Sequence, residues 1–174
     1  IETALFKAEE MIKDGAAILD VGGESTRPGY TPVSETEEME RVLPVVEAIK
    51  RRFDIPVSVD TYKSTVAEAA ILAGADLIND IWGLKADEKM AEVIAKHQVA
   101  CCLMHNRKNM NYENFLQDMQ KDLEESVEMA KKAGVSQDKI ILDPGVGFAK
   151  SYEQNLEVIR NLSRMKELGY PVLL

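Results

Sequence analysis

The chain has 174 residues, 45% of them hydrophobic, and a formal net charge of −9 at pH 7. That is the length of one domain with enough apolar material for a core. The acidic balance excludes a general nucleic-acid binder, which needs a basic surface to displace counterions from phosphates, and no run reaches the roughly 18 uninterrupted apolar residues of a membrane span.

Ala4, Leu5, Ala8, Met11 and Ile12 recur at helical spacing, and Gly15 follows as a stop. AAILDV reads as a strand leading into the loop GGESTRPG, and SETEEMERVLPVVEAIKRRF as a helix in which Ser34 and Glu37 form a capping box and Pro44 predicts a kink or break. PVSVD is a strand, STVAEAAILAG a helix closed by Gly74, ADLIND a strand and DEKMAEVIAKH a helix. VACCLMH is a strand, and YENFLQDMQKDLEESVEMAKKAG a long amphipathic helix ending at Gly134. KIILD is a strand, SYEQNLEVIRNLSRMKELG one helix, and PVLL the start of another strand.

Six strands alternating with helices are the signature of parallel βαβ units, so the fold class is α/β. Two architectures fit: an open doubly wound sheet, and a TIM (β/α)8 barrel incomplete in this chain. A barrel usually needs ~250 residues, but the chain opens directly on a helical pattern and stops on an apolar run, so residues 1–174 are expected to form a single barrel domain truncated at both ends. Asp20, Asp60, Asn79, His105 and Asp143 end successive strands with polar side chains. A doubly wound sheet concentrates its site at one switch point, whereas a barrel brings all the carboxyl ends to one rim, which favours the barrel.

A cap or turn role would explain Asp60 or Asp143 taken singly. Together with the Asn79 amide they place two carboxylates and one group that both donates and accepts around a common cavity, a set that suits a flat, nitrogen-rich heterocycle. Ile81 and Met104 offer flat apolar faces to such a ring. A metal site would call for a closer cluster, and neither His97 nor His105 has ligand spacing; His97 reads as structural, while His105 at the rim is a candidate contact. GVGFAKS fails as a phosphate loop because Pro144 and Ala149 stand where glycines are needed, and Lys150 occupies the third glycine position of the dinucleotide pattern. Gly145 and Gly147 then read as close-approach positions, and Phe148 as an aromatic on the rim. Arg27, in the loop Ser25-Thr26-Arg27-Pro28-Gly29, is the anion candidate, its planar fork suiting phosphate or carboxylate. Cys101 and Cys102 point to opposite faces of a strand and have neither metal nor redox spacing. With no signal-peptide pattern, they agree with the cytoplasm.

DVGGESTRPG, SVDTYKSTVAEAAILAGADLINDI, LMH and DPGVGF, in that order, resemble the dihydropteroate synthase family of the folate pathway, across essentially the whole chain. The resemblance implies a (β/α)8 barrel enzyme, usually a homodimer. It would condense p-aminobenzoate with 6-hydroxymethyl-7,8-dihydropterin pyrophosphate and release pyrophosphate with the help of Mg2+. It implies that Asp60, Asn79 and Asp143 hydrogen-bond the pterin while Ile81 and Met104 line its slot. Thr26, Arg27 and Pro28, with Phe148, would form the p-aminobenzoate site, Thr26 and Arg27 taking part in catalysis. The family's metal-ligand loop and later basic residues are not matched within these residues, so the metal is not assigned to this chain and the chain alone is expected to be inactive. A methyltetrahydrofolate-binding methyltransferase and a non-catalytic pterin-binding homologue are the alternatives, the STRPG loop arguing against the first.

Overall fold

Short β-branched and apolar runs alternate with amphipathic segments, and each becomes one layer of a curved α/β wall. The computed structural model describes residues 1–26 and 31–174. Its strands are β1 (Leu19–Gly22), β2 (Val57–Asp60), β3 (Leu77–Asp80), β4 (Ala100–Met104) and β5 (Ile140–Asp143). All neighbours are parallel, and their order in space is their order in the chain. A doubly wound sheet must reverse around its first strand; this one never does, and it is a partial (β/α)8 barrel. PVLL contributes a parallel bridge, Val172 to Leu142, with Leu142 N–H donating to Pro171 O at 2.9 Å and Leu173 N–H to Leu142 O at 2.9 Å.

The helices are α1 (Glu2–Lys13), α2 (Glu35–Arg52), α3 (Ser64–Leu72), α4 (Met90–His97), α5 (Phe115–Ala133), α6 (Tyr152–Arg160) and α7 (Leu162–Lys166). Three local expectations are corrected. Pro44 does not break α2, which runs unbroken from Glu35 to Arg52 with Val42, Val46 and Ile49 buried on either side of the proline; packing outweighs one lost backbone bond. Ser34 Oγ does accept from Glu37 N–H at 3.1 Å, but the Glu37 carboxylate pairs with Arg41 instead of returning to the cap. The reciprocal box forms at Ser151 and Gln154. The last helix is two, divided at Asn161, whose side chain donates to Glu157 O at 2.8 Å and competes for backbone groups.

The parallel register sorts side chains by face, because neighbours in register point the same way and successive residues along a strand point opposite ways. Leu19, Val57, Val59, Ile78, Cys101, Leu103, Ile140 and Leu142 form one cluster with the helices. The other face carries Asp20, Ser58, Asp60, Asn79, Cys102, Met104, Ile141 and Asp143, which are register partners or stand two residues apart. Cys101 and Cys102 therefore do lie on opposite faces, both as buried free thiols. Among the described residues no helix is long and apolar enough to cross a membrane.

Candidate functional site

The concave face ends in a polar rim because β2, β3 and β5 each pass from largely apolar residues to an acid or amide at the carboxyl end. Asp60 is the register partner of Asn79, Asn79 of Cys102, and Met104 of Asp143. Asp60, Asn79 and Asp143 thus share one face and one end. Three strand spacings separate β2 from β5, a path of about 14 Å that curvature shortens across the hollow. Ile81 and Met104 are 5% and 4% exposed, and Met104 shares the face of its register partner Asp143.

The electrostatics of this rim are those of crowded acceptors. Burial, reinforced by the charges of Asp20, Glu38, Asp80 and Glu24, pushes the Asp60 carboxyl up to about 7. Burial also raises Asp143, opposed by the Gly145 N–H, which donates to its Oδ1 at 2.6 Å, and by the Lys150 charge. Between them the Asn79 Oδ1 is buried with no hydrogen-bond partner among the described residues. A buried acceptor without a donor is costly and rare.

His105 departs from the expected rim role. It follows Met104 by one residue and therefore shares the face of Cys101 and Leu103, and it is 2% exposed against α5. Its Nε2 lies 3.0 Å from Asp122 Oδ2 and its Nδ1 2.9 Å from Lys150 Nζ. An ammonium can only donate, so Nδ1 carries the lone pair and Nε2–H donates to Asp122. Burial and the neighbouring Lys150 charge hold this imidazole neutral, its pKa lowered to about 4. His97 is held by Glu68 at 3.2 Å on the helix layer, away from the hollow.

Thr26, half-buried, follows a firmly tied root. Gly23 packs so tightly on α2 that an added Cβ would fall 2.8 Å from Val42 Cγ2 and 2.9 Å from Glu38 Cγ. Glu24 then accepts from Tyr62 OH at 2.7 Å, Val33 N–H at 2.8 Å and Lys63 Nζ at 2.7 Å, and Lys63 also donates to the buried Glu38 at 2.5 Å. Arg27 and Pro28 lie outside the described residues. Phe148 is half-buried on the loop after β5, its carbonyl accepting from Lys150 at 2.9 Å. The sequence assigns no site role to Glu24, Lys63, Asp122 or Lys150. Each also has a partner 15 or more residues away, Glu24 with Lys63, Asp122 with Arg107 and Lys150 with His105, and local spacing carries no signal for such pairs.

A family model described as pterin binding enzyme matches residues 1–174. A dihydropteroate synthase of Clostridium beijerinckii is 62% identical over 174 residues, covering 100% of this chain and 65% of that protein. One from Bacillus subtilis is 58% identical, covering 100% of this chain and 61% of that protein. A dihydropteroate synthase structure from Clostridium difficile, solved in the presence of pteroic acid, has a TM-score of 0.98 at 48% identity, covering 99% of this chain and 66% of that one. A Xanthomonas albilineans dihydropteroate synthase with 4-aminobenzoic acid has a TM-score of 0.94 at 38% identity, covering 98% of this chain and 63% of that one. The chain thus spans less than two thirds of the length of these relatives.

Proposed function

The chain belongs to the pterin binding enzyme family, and from that membership we propose that the protein it forms part of is a dihydropteroate synthase, with residues 1–174 as part of a single barrel domain. The observation that carries the reading is the orphaned Asn79 Oδ1, flanked on one face by the carboxylates of Asp60 and Asp143. That set complements the amide and amine N–H groups along the edge of a pterin, with Asn79 reading a mixed donor and acceptor edge. Ile81 and Met104 sandwich the ring. Thr26, Arg27, Pro28 and Phe148 receive p-aminobenzoate.

In the proposed reaction the aryl amine attacks the pterin methylene carbon. The new C–N bond forms as the C–O bond to pyrophosphate breaks with its electron pair, and the amine proton passes to the departing anion or to solvent. The chain's residues hold and align the pterin and exclude water from its inner face. Positioning and electrostatic stabilisation then carry most of the acceleration. Mg2+ enters the proposal as the partner of the pyrophosphate. Among the described residues no group of three or more His, Cys, Asp or Glu could hold a metal ion, so no step is derived through it. The reading extends to a cytoplasmic homodimer, on the family resemblance.

The test is ordered binding in the full-length protein. Calorimetry is expected to show p-aminobenzoate binding only when a pterin and pyrophosphate are present, and the pterin pyrophosphate is expected to yield dihydropteroate. Pterin binding that never recruits p-aminobenzoate contradicts the synthase and favours a pterin-binding module.

A further inference from the structure

Lys150 is 8% exposed, and its ammonium sits where two loops meet. It donates to His105 Nδ1 at 2.9 Å, to Gly145 O at 2.8 Å and to Phe148 O at 2.9 Å, so each of its three N–H bonds has an acceptor. The loop it gathers is under backbone strain. Gly145, Gly147 and Ala149 have φ values of 68°, 91° and 47°, the left-handed region that a residue such as Ala149 adopts only when its surroundings over-determine it. Tyr112 OH adds a bond to Ala149 O at 2.8 Å, Asn155 accepts from Gly147 N–H at 2.7 Å, and Phe148 N–H closes back on Gly145 O at 3.0 Å. The whole rests on His105, itself fixed by Asp122, which Arg107 holds through Nε at 2.5 Å.

Two groups on the concave rim depend on this knot. The Gly145 N–H orients Asp143 Oδ1, and the carbonyl of that same glycine is a Lys150 acceptor. Phe148 is the residue whose carbonyl the ammonium pins. We propose that Lys150 is a positioning residue: bound to His105, Gly145 and Phe148, it aims the Asp143 carboxylate at the pterin and the Phe148 side chain at p-aminobenzoate. The claim deepens the synthase reading and rests on it for the identity of the two ligands.

Charge supports the geometry. Lys150 opposes the burial that raises Asp143, while Asp143 and Asp122 favour the charged ammonium against its own burial. The titratable groups facing the pair are Cys102 of β4, which interacts with Asp143, Asp122 of α5, which favours the charged Lys150, and His105, which stays neutral above about pH 4. Removing the ammonium therefore raises Asp143 further and moves the acid limb of ligand binding to higher pH.

The experiment compares full-length wild type with Lys150→Met and Lys150→Gln, the second retaining two N–H donors should the first fail to fold, with circular dichroism as the check on folding. Titration of 6-hydroxymethylpterin between pH 4.5 and 7.5 is expected to show at least fivefold weaker binding at pH 7 and an acid midpoint at least half a pH unit higher (~0.7 kcal/mol by the constant relating pKa to free energy). The KM for p-aminobenzoate is expected to rise at least fivefold, and by a larger factor than kcat falls. A folded variant with a lower melting temperature but unchanged pterin midpoint and unchanged p-aminobenzoate KM overturns the proposal, since that is what mere packing would do. Pterin binding is read without turnover. A wild-type protein that binds pterin but makes no dihydropteroate therefore fails the synthase reading while leaving the Asp143 half of this one to stand or fall on the midpoint.

Discussion

Asp60 and Asp80 end neighbouring strands with the same side chain and opposite consequences. Asp60 faces the hollow among like charges, and its pKa rises from 3.8 to about 7. Below about pH 4 it is protonated in both the folded and unfolded chain; as pH rises through 7 the folded chain must ionise it and stability is lost. Asp60→Asn is expected to stabilise the protein by about 2 to 4 kcal/mol at pH 8 and by almost nothing at pH 4, while weakening pterin binding; denaturant unfolding at the two pH values checks this, and an equal gain at both contradicts it. Asp80 faces the helices, 1% exposed, and although burial pushes it to about 6 its oxygens accept from Trp82 and Leu84 N–H, each at 2.8 Å. Asp80→Asn leaves one of those amides unpaired, and unfolding at pH 8 should show a loss of about 1 to 3 kcal/mol. The sequence marks Asp60, Asn79 and Asp143 as strand ends, but it does not show which face each one takes. His105 reads with them for that reason: in a strand buried on both sides, apolar residues do not reveal which face is inward, and a shift of one residue reverses the answer.

At the scale of elements, the strands and helices were legible wherever apolar spacing runs for a full turn or pleat, and all five strands and the first five helices follow it. What was not legible is where side chains outcompete the backbone, as at Asn161, or where packing overrides an intrinsic preference, as at Pro44. The loop after β5 reads as a failed phosphate loop with permissive glycines, and in the structure Lys150 donates to two of its carbonyls from within. Gly145 is the position with the least latitude. Its φ is +68°, and an added Cβ would fall 2.1 Å from the His105 carbonyl oxygen, which is backbone and cannot step aside alone. Gly145→Ala is expected to destabilise the protein by about 3 kcal/mol, with pterin affinity falling because the Asp143 donor moves. Thermal unfolding and pterin titration of the variant check this, and wild-type values in both contradict it.

For the whole molecule, parallel strands in unbroken chain order form a curved wall with apolar residues outward to the helices and polar ends inward. β1 pairs with β2 on one side; near its other side lies a cleft of about 300 Å³ lined by Ala4, Met11, Val21 and Val45, among others. Met11 and Ile18 are 53% and 45% exposed. An accessible strand edge beside apolar side chains is an association surface. Residues 1–174 prepared alone are expected to bind a hydrophobic dye, to self-associate and to form no dihydropteroate; a monodisperse, dye-free preparation with a sharp melt contradicts this. The arrangement of the hollow is the part on which the rest depends, and a crystal structure of the full-length protein with 6-hydroxymethylpterin tests it most directly. The account predicts one ring system with Asp60, Asn79 and Asp143 all within about 3.2 Å of its polar atoms and Asn79 Oδ1 accepting one of its N–H groups. A pterin bound elsewhere, or Asn79 Oδ1 still without a donor in the complex, contradicts it.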